Sequence, residues 1–137
     1  MKENKVLNGL MFLALDHGVD SVSEGGHLIP FALTKMTGKP DLTRIQVERV
    51  EDSRNVAIEI VLEKNLKMYA IAYDGYVTIK NKKFDAIIVE AGQRGEKKAL
   101  KLRQRYVPKK SLRKFTKIGN PAYLGEVGNI LSKGIKE

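Results

Sequence analysis

The segment 68–107 constrains the fold most, because it contains the most β-like sequence of the chain, divided by turn residues. Its first part, 68–79, is rich in tyrosine and β-branched residues, which favour strands. Two further strands are predicted at 84–91 and 99–107, after turns at 80–83 and 92–95. Strands joined by such short connections pair antiparallel.

Asp74–Gly75 leaves two interpretations of the first strand open. A two-residue turn there would split 68–79 into two short strands. A bulge at Gly75 would instead keep one long strand, joined to a second long strand through the turn at 80–83. We favour the long strand with the bulge.

The N-terminal half predicts two helices and two strands. An apolar stripe of helical spacing runs from Val6 to Ala14, and Gly18 is the expected end of that helix. Strands are predicted at 27–34 and 42–50, joined by a turn at 38–41. A second helix is predicted to begin after a cap at Asp52 or Ser53 and to end at Leu62 or Asn65, with Arg54, Glu59 and Glu63 on its exposed side.

These elements predict an α+β fold. The expected order is αββαβββ, with an antiparallel sheet of about five strands and two helices packed on it. The remainder reads as a short C-terminal helix starting at Asn120–Pro121, or as a tail. We expect residues 1–137 to form one domain, with the basic tail 108–137 less ordered than the rest.

The charge of the chain is concentrated in one segment. Residues 94–117 contain eleven basic residues and one acid, Glu96. The whole chain has a net charge of +9, so the remaining residues are close to neutral. A strongly positive segment on a near-neutral protein points to a polyanionic partner.

The predicted strand 99–107 would place three of these cations on one face. Lys101, Arg103 and Arg105 alternate with leucines, Gln104 and Tyr106, so they are spaced about 7 Å apart on one side of the sheet, where they could follow a phosphate backbone. Further basic residues would extend this candidate nucleic-acid or anion site: Lys109, Lys110, Arg113 and Lys114. The alternative is a solvated sheet face that Glu48 and Glu90 partly neutralise.

Other constellations are weaker. Gly92–Gly95 matches a backbone-clamping G-x-x-G, but it joins two predicted strands, not helices. The potential metal ligands cluster near the N-terminus without any established spacing: Asp16, His17, Asp20, Glu24 and His27. Tyr69, Tyr73 and Tyr76 are expected to pack in or across the sheet.

No catalytic residue, metal site or cofactor is predicted. The chain has no P-loop, no dinucleotide-binding fingerprint and no Gly-x-Ser-x-Gly. A carboxylate pair of Asp74 with Asp85 or Glu90 is conceivable, but the sequence does not give their separation.

A cytoplasmic location is expected. The chain contains no cysteine, which fits a reducing compartment, and no apolar run long enough for a membrane span. The apolar stretch 6–15 is interrupted by Asn8 and Gly9, so it reads as an amphipathic helix and not as a signal peptide.

Several segments resemble a family of small uncharacterised bacterial proteins: Ser23–Phe31, Tyr69–Thr78, Asp85–Gly92 and Gln104–Tyr106. The resemblance covers residues 6–107 and leaves the basic tail outside. It implies an intact small bacterial α+β domain, and no functional residue follows from it.

Two functions are therefore expected. The first is a non-catalytic interaction or scaffold module, homodimeric through an exposed sheet edge or the apolar tail. The alternative is a nucleic-acid-binding module without strong sequence preference, which uses the basic strand and tail, 94–117.

Overall fold

A six-stranded antiparallel sheet organises the molecule. The computed structural model describes residues 5–26, 28–35, 38–47, 49, 52–63, 66–110 and 112–132. Its elements are α1 (Lys5–Ser23), β1 (Phe31–Lys35), β2 (Asp41–Arg44), α2 (Ser53–Leu62), β3 (Met68–Ile79), β4 (Lys82–Gln93), β5 (Lys98–Val107), β6 (Thr116–Gly128) and a 3₁₀ turn (Ile130–Ser132). The strand order is β2-β1-β3-β4-β5-β6, so the predicted α+β class is confirmed, with six strands where about five were expected.

The β3–β4 hairpin forms the long centre of the sheet. Its strands pair in an uninterrupted register from Met68 opposite Gln93 to Ile79 opposite Lys82. Lys80 and Asn81 have φ of 52° and 67°, as a tight turn between twisted strands requires. The long-strand interpretation is confirmed, whereas the bulge at Gly75 is wrong, because Gly75 pairs directly with Ala86.

The two helices cover opposite faces of the sheet. The apolar face of α1 packs on a core built around Phe31, Ala70, Val89 and Leu102. The second core joins α2 and the 3₁₀ turn to the other face of the sheet. The face under α1 is called the α1 face below, and the opposite one the α2 face.

Helix α1 continues past the glycine that was expected to end it. Gly18 is buried inside the helix, and a β-carbon placed there would lie 3.0 Å from Cγ2 of Ile87 on β4. The glycine therefore permits a close approach of helix and sheet, and the predicted helix end at Gly18 is wrong.

Strand β6 replaces the predicted C-terminal helix at Asn120–Pro121. Among the described strands it pairs with β5 alone, so Pro121 sits in an edge strand, where a missing N–H can face solvent. Two register shifts interrupt the pairing, and Gly119 and Gly125 have positive φ. Gln104 fills the second irregularity by donating from its buried side-chain amide to carbonyls at Arg105, Ile118 and Gly119.

The first two strands are shorter than predicted. β1 begins at Phe31 instead of residue 27, and β2 ends at Arg44 instead of continuing to 50. His27, Glu48 and Val50 lie outside the described residues. Helix α2 begins at Ser53 as expected, although Asp52 makes no side-chain cap hydrogen bond. No helix in the described part of the chain is long and apolar enough to cross a membrane.

Replacing Gly18 with leucine should destabilise the fold by about 2 to 3 kcal/mol, because the new side chain must displace Ile87 from a close-packed interface. Urea unfolding monitored by circular dichroism measures the change. The matched control is Gly9→Leu in the same helix, where a β-carbon meets nothing within 4 Å and stability should hold or rise by up to about 1 kcal/mol. Equal effects at both positions would contradict the close-approach role of Gly18.

Candidate nucleic-acid interface

Strand β5 separates its cations from its apolar residues as the sequence predicts. Leu102, Gln104 and Tyr106 are buried on the α1 face. Lys101, Arg103 and Arg105 alternate with them, half-buried, on the α2 face. The three predicted strand contacts therefore share one surface.

Helix α2 covers only part of that face. It packs against β1, β3 and the 3₁₀ turn, at the end of the sheet where Tyr69, Ile71 and Ala99 are buried. Arg103 and Arg105 lie towards the other end, opposite Ile88 and Ala86 of β4, which are both buried. The basic face is defined as Lys101, Arg103 and Arg105. Its two arginines thus sit on a part of the sheet that α2 leaves uncovered, whereas Lys101 lies opposite Glu90, to which α2 is bound through Arg54.

Arg105 is fixed by an aromatic ring. Its guanidinium carbon lies 4.8 Å from the centroid of the Phe84 ring, and the Lys82 ammonium lies 5.5 Å from the same centroid. The Arg105 Nε atom is buried and makes no hydrogen bond within the described part of the chain. Because a buried atom cannot meet an incoming ligand, an anionic oxygen would accept hydrogen bonds from the terminal N–H groups of the guanidinium.

Arg103 and Arg105 repel one another. Burial lowers the pKa of Arg103, and the neighbouring positive charge of Arg105 lowers it further. Within the described part of the chain, no ion pair joins either guanidinium to a carboxylate. Two adjacent, partly desolvated cations form a site that gains from a bound anion.

Glu90 supplies the nearest negative charge, but it is already engaged. The carboxylate is 1% exposed and accepts two hydrogen bonds from Arg54, at 2.7 and 2.9 Å, and one from the Tyr73 hydroxyl at 2.6 Å. Lys101 lies directly opposite Glu90 on β5. Glu90 therefore faces two cations, Arg54 and Lys101, and forms no ion pair with Arg103 or Arg105.

The pKa values of this group follow from burial and pairing. Burial opposes ionisation of Glu90, but hydrogen bonds from Arg54 and Tyr73 and the charges of Arg54 and Lys101 outweigh it, so the pKa of Glu90 lies below its usual range. Burial and the bond to Glu90 raise the pKa of Tyr73. Burial raises the pKa of Tyr69 to about 12, although its hydroxyl accepts a hydrogen bond from the Ile130 N–H.

The four predicted loop cations lie apart from the basic face. The loop after β5 turns towards the end of α1, because Phe115 packs on Tyr106 and Lys109 lies 3.8 Å from Glu24. Lys110 and Arg113 bridge to each other through their backbones. The seven predicted contacts thus form two groups: Lys101, Arg103 and Arg105 on the sheet, and Lys109, Lys110, Arg113 and Lys114 in the loop.

An open cleft of about 1170 Å³ lies beside β3, lined by Asp74, Tyr76, Asp85 and Tyr106 together with residues 28–30, 45–47 and 108–110. The Tyr106 hydroxyl donates to both Asp74 oxygens, at 2.9 and 3.1 Å. Burial and the charge of Asp74 raise the pKa of Tyr106, so its hydroxyl retains its proton. The conceived pairing of Asp74 with Glu90 is wrong, because Glu90 lies on the α2 face and Asp74 points into the cleft with Asp85.

The remaining sequence patterns have structural roles. Gly92 belongs to β4, where a β-carbon would lie 2.8 Å from both the Tyr69 hydroxyl and Asn129 Oδ1, so it is not part of an exposed clamp. His17 packs edge-on against Phe31. Within the described ranges, no three histidine, aspartate or glutamate side chains come together as a metal site would need.

Sequence reasoning missed Arg54 and Phe84. Arg54 was assigned to the exposed side of α2, yet it binds Glu90 across the helix–sheet interface. The signal was Glu90 itself, because a carboxylate within an apolar strand needs a cationic partner. Phe84 precedes the buried part of β4, and only the strand register brings it beside Arg105.

No protein-family model, curated protein or solved structure matches the chain. The resemblance of residues 6–107 to a bacterial family therefore stays a prediction, as does any role of the basic residues.

Replacing Arg54 with methionine should lower the free energy of unfolding by about 2 kcal/mol at pH 7, because it leaves the Glu90 carboxylate buried without its bidentate partner. Urea unfolding measures the loss. Arg49→Met is the matched control: Arg49 is 73% exposed in a 3.4 Å pair with Asp52, and its loss should cost below about 1 kcal/mol. Equal losses would contradict the buried role of Arg54.

The same pair predicts a pH dependence. The pKa of Glu90 is lower in the folded state than in the unfolded chain, so its stabilising contribution is complete above the unfolded value of about 4.5 and is lost as the pH falls through the folded value. The free energy of unfolding, measured at a series of pH values from 7 to 3, should therefore fall less steeply for Glu90→Gln than for the unaltered protein. Parallel curves would show that Glu90 does not titrate with unfolding.

Proposed function

We propose that the protein is a non-catalytic interaction module that binds nucleic acid through the basic face, without strong sequence preference. The observation that carries the proposal is the Arg103–Arg105 pair: two half-buried guanidinium groups, side by side on a part of the sheet not covered by α2, with no carboxylate paired to them in the described structure.

Electrostatics favour a polyanion over a single small anion. Lys101, Arg103 and Arg105 repeat every second residue, so their side chains are about 7 Å apart along the strand. A phosphate backbone presents charges in series, and each neutralised phosphate releases counterions, which gives binding that weakens steeply with salt. A phosphate on the arginine pair would also relieve their mutual repulsion.

The sheet surface favours a backbone contact without base recognition. Arg105 is held against the Phe84 ring, so its position is set before binding. Lys82 lies over the same ring and adds a further cation at the edge of the basic face. Cations fixed on a sheet, with no protruding helix among them, can follow a strand of any sequence.

A structural role of the two arginines is the competing explanation. Arg103 and Arg105 lie opposite the buried residues Ile88 and Ala86, and their aliphatic stems would cover apolar surface even without a ligand. The two roles differ in what mutation changes. A covering role predicts a loss of stability alone, whereas a binding role predicts a change in the salt dependence of affinity.

The test is a fluorescence-anisotropy titration with mixed-sequence single-stranded RNA and duplex DNA between 50 and 200 mM salt. Arg103→Gln/Arg105→Gln should flatten the slope of log K against log salt by roughly 1.5 to 2 units, about one phosphate contact per arginine. The matched control is Lys97→Gln/Lys98→Gln, which removes the same charge from two exposed lysines near the opposite end of β5 and should leave the slope nearly unchanged.

Circular dichroism of both double variants at the assay temperature shows that they are folded. If the slope of log K against log salt changed equally in the two variants, the effect would come from net charge alone, and that result would contradict a defined site. Absence of binding to either nucleic acid at 50 mM salt would overturn the proposed function.

A further inference from the structure

Strand β3 is longer than β1, its neighbour on one side. In the described part of the chain, β1 pairs with β3 only from Met68 to Ala72, whereas β4 follows β3 to Ile79. The stretch Gly75–Ile79 therefore has a backbone edge with no strand beside it among the described residues. Such an edge is a template for a further strand.

The two outer edges of the sheet are poorer templates. β2 has four residues. β6 has thirteen, but Pro121 lies in its middle and two register shifts break its pairing, devices that prevent edge-to-edge association. Gly75–Ile79 contains no proline and keeps an unbroken register with β4.

The surroundings of this edge have complementary charges within one molecule. The adjoining cleft contains Asp74 and Asp85 on the α1 face, together with Lys109 and Lys110, and no side-chain hydrogen bond or ion pair joins Asp85 to another described residue. The hairpin that carries the edge ends in exposed lysines: Lys80, Lys82 and Lys83. A surface that carries carboxylates beside the edge of β3 and lysines at the hairpin tip can pair with itself across a two-fold axis.

We propose that a second copy of this chain occupies the free edge, so that the β3 strands of two molecules pair antiparallel about Val77. Side-chain alternation restricts the register, because residues opposite each other must point to the same face. A two-fold axis through Val77 places Gly75 opposite the partner's Ile79 and Tyr76 opposite the partner's Thr78. It also brings the partner's Lys80 beside Asp74.

Neighbouring registers fit less well. An axis through Tyr76 would place the partner's Lys80 opposite Ala72, where Phe31 of β1 already pairs. An axis through Thr78 would leave only residues 77–79 paired. The Val77 register gives five pairs without collision with β1, and it buries part of the Tyr76 ring, which is 62% exposed in the single chain.

A disulfide test reads the register directly, because the chain contains no cysteine. In the proposed dimer, residue 77 faces its own copy at a Cα separation of about 4.5 to 5.5 Å, within disulfide range. Val77→Cys should therefore form a covalent dimer on mild oxidation. Ile79→Cys is the matched control. Residue 79 is half-buried on the same face, but it lies opposite residue 75 of the second copy, so the two cysteines would be about 14 Å apart along the strands.

Sedimentation equilibrium of the unaltered chain, without nucleic acid, provides the second measurement. A dimer is expected, and Lys80→Glu should weaken it at least about tenfold by placing a carboxylate against Asp74 of the partner. Lys39→Glu, an exposed turn lysine between β1 and β2, should leave the affinity unchanged. A monomer at all concentrations, or equal cross-linking of Val77→Cys and Ile79→Cys, would overturn the proposal. The nucleic-acid titration does not bear on either result.

Discussion

The buried Glu90 carboxylate sets where α2 can sit. A carboxylate that is 1% exposed needs compensating donors, and two of them come from Arg54, which anchors the start of α2 to the middle of the sheet. The Tyr73 hydroxyl supplies a third donor from the neighbouring strand. Because this bond draws a helix of only ten residues towards β1 and β3, the same face of β5 is left without a helix over Arg103 and Arg105.

On the α1 face, steric packing and not electrostatics determines where the helix lies. Helix α1 is nineteen residues long and packs against β3 and β4, and Gly18 lets its backbone approach Ile87. Its core is apolar apart from positions such as Gln104, whose amide donates to three carbonyls at the irregular β5–β6 pairing. The sheet is thus packed against a long helix on one side, next to the cleft at Asp74, and is only partly covered on the other side, where its half-buried cations lie.

Alternation and turn residues made the centre of the fold predictable. The β3–β4 hairpin follows from β-favouring residues on both sides of a turn, and the face of Lys101, Arg103 and Arg105 and the burial of Tyr106 follow from alternation along β5. What the sequence could not reveal depended on contacts distant along the chain. Gly18 resembles a residue that ends a helix, yet it allows the helix to approach Ile87. Pro121 resembles a residue that starts a helix, yet it lies in β6, where it is tolerated because the described strands pair with β6 on one side only. The separation of the loop cations from the strand cations depends on Phe115 packing against Tyr106.

The two proposals are independent in their tests but linked in their geometry. A two-fold axis that relates antiparallel β3 strands is perpendicular to the sheet, so it keeps the α2 faces of both copies on the same side. Five strand spacings would then separate the two β5 strands, about 24 Å in a flat sheet and somewhat different in a twisted one. A nucleic acid long enough to span that distance could contact both arginine pairs, and the second contact would be intramolecular. Edge pairing would in this way turn a site of few phosphate contacts into one of useful affinity without adding any residue to it.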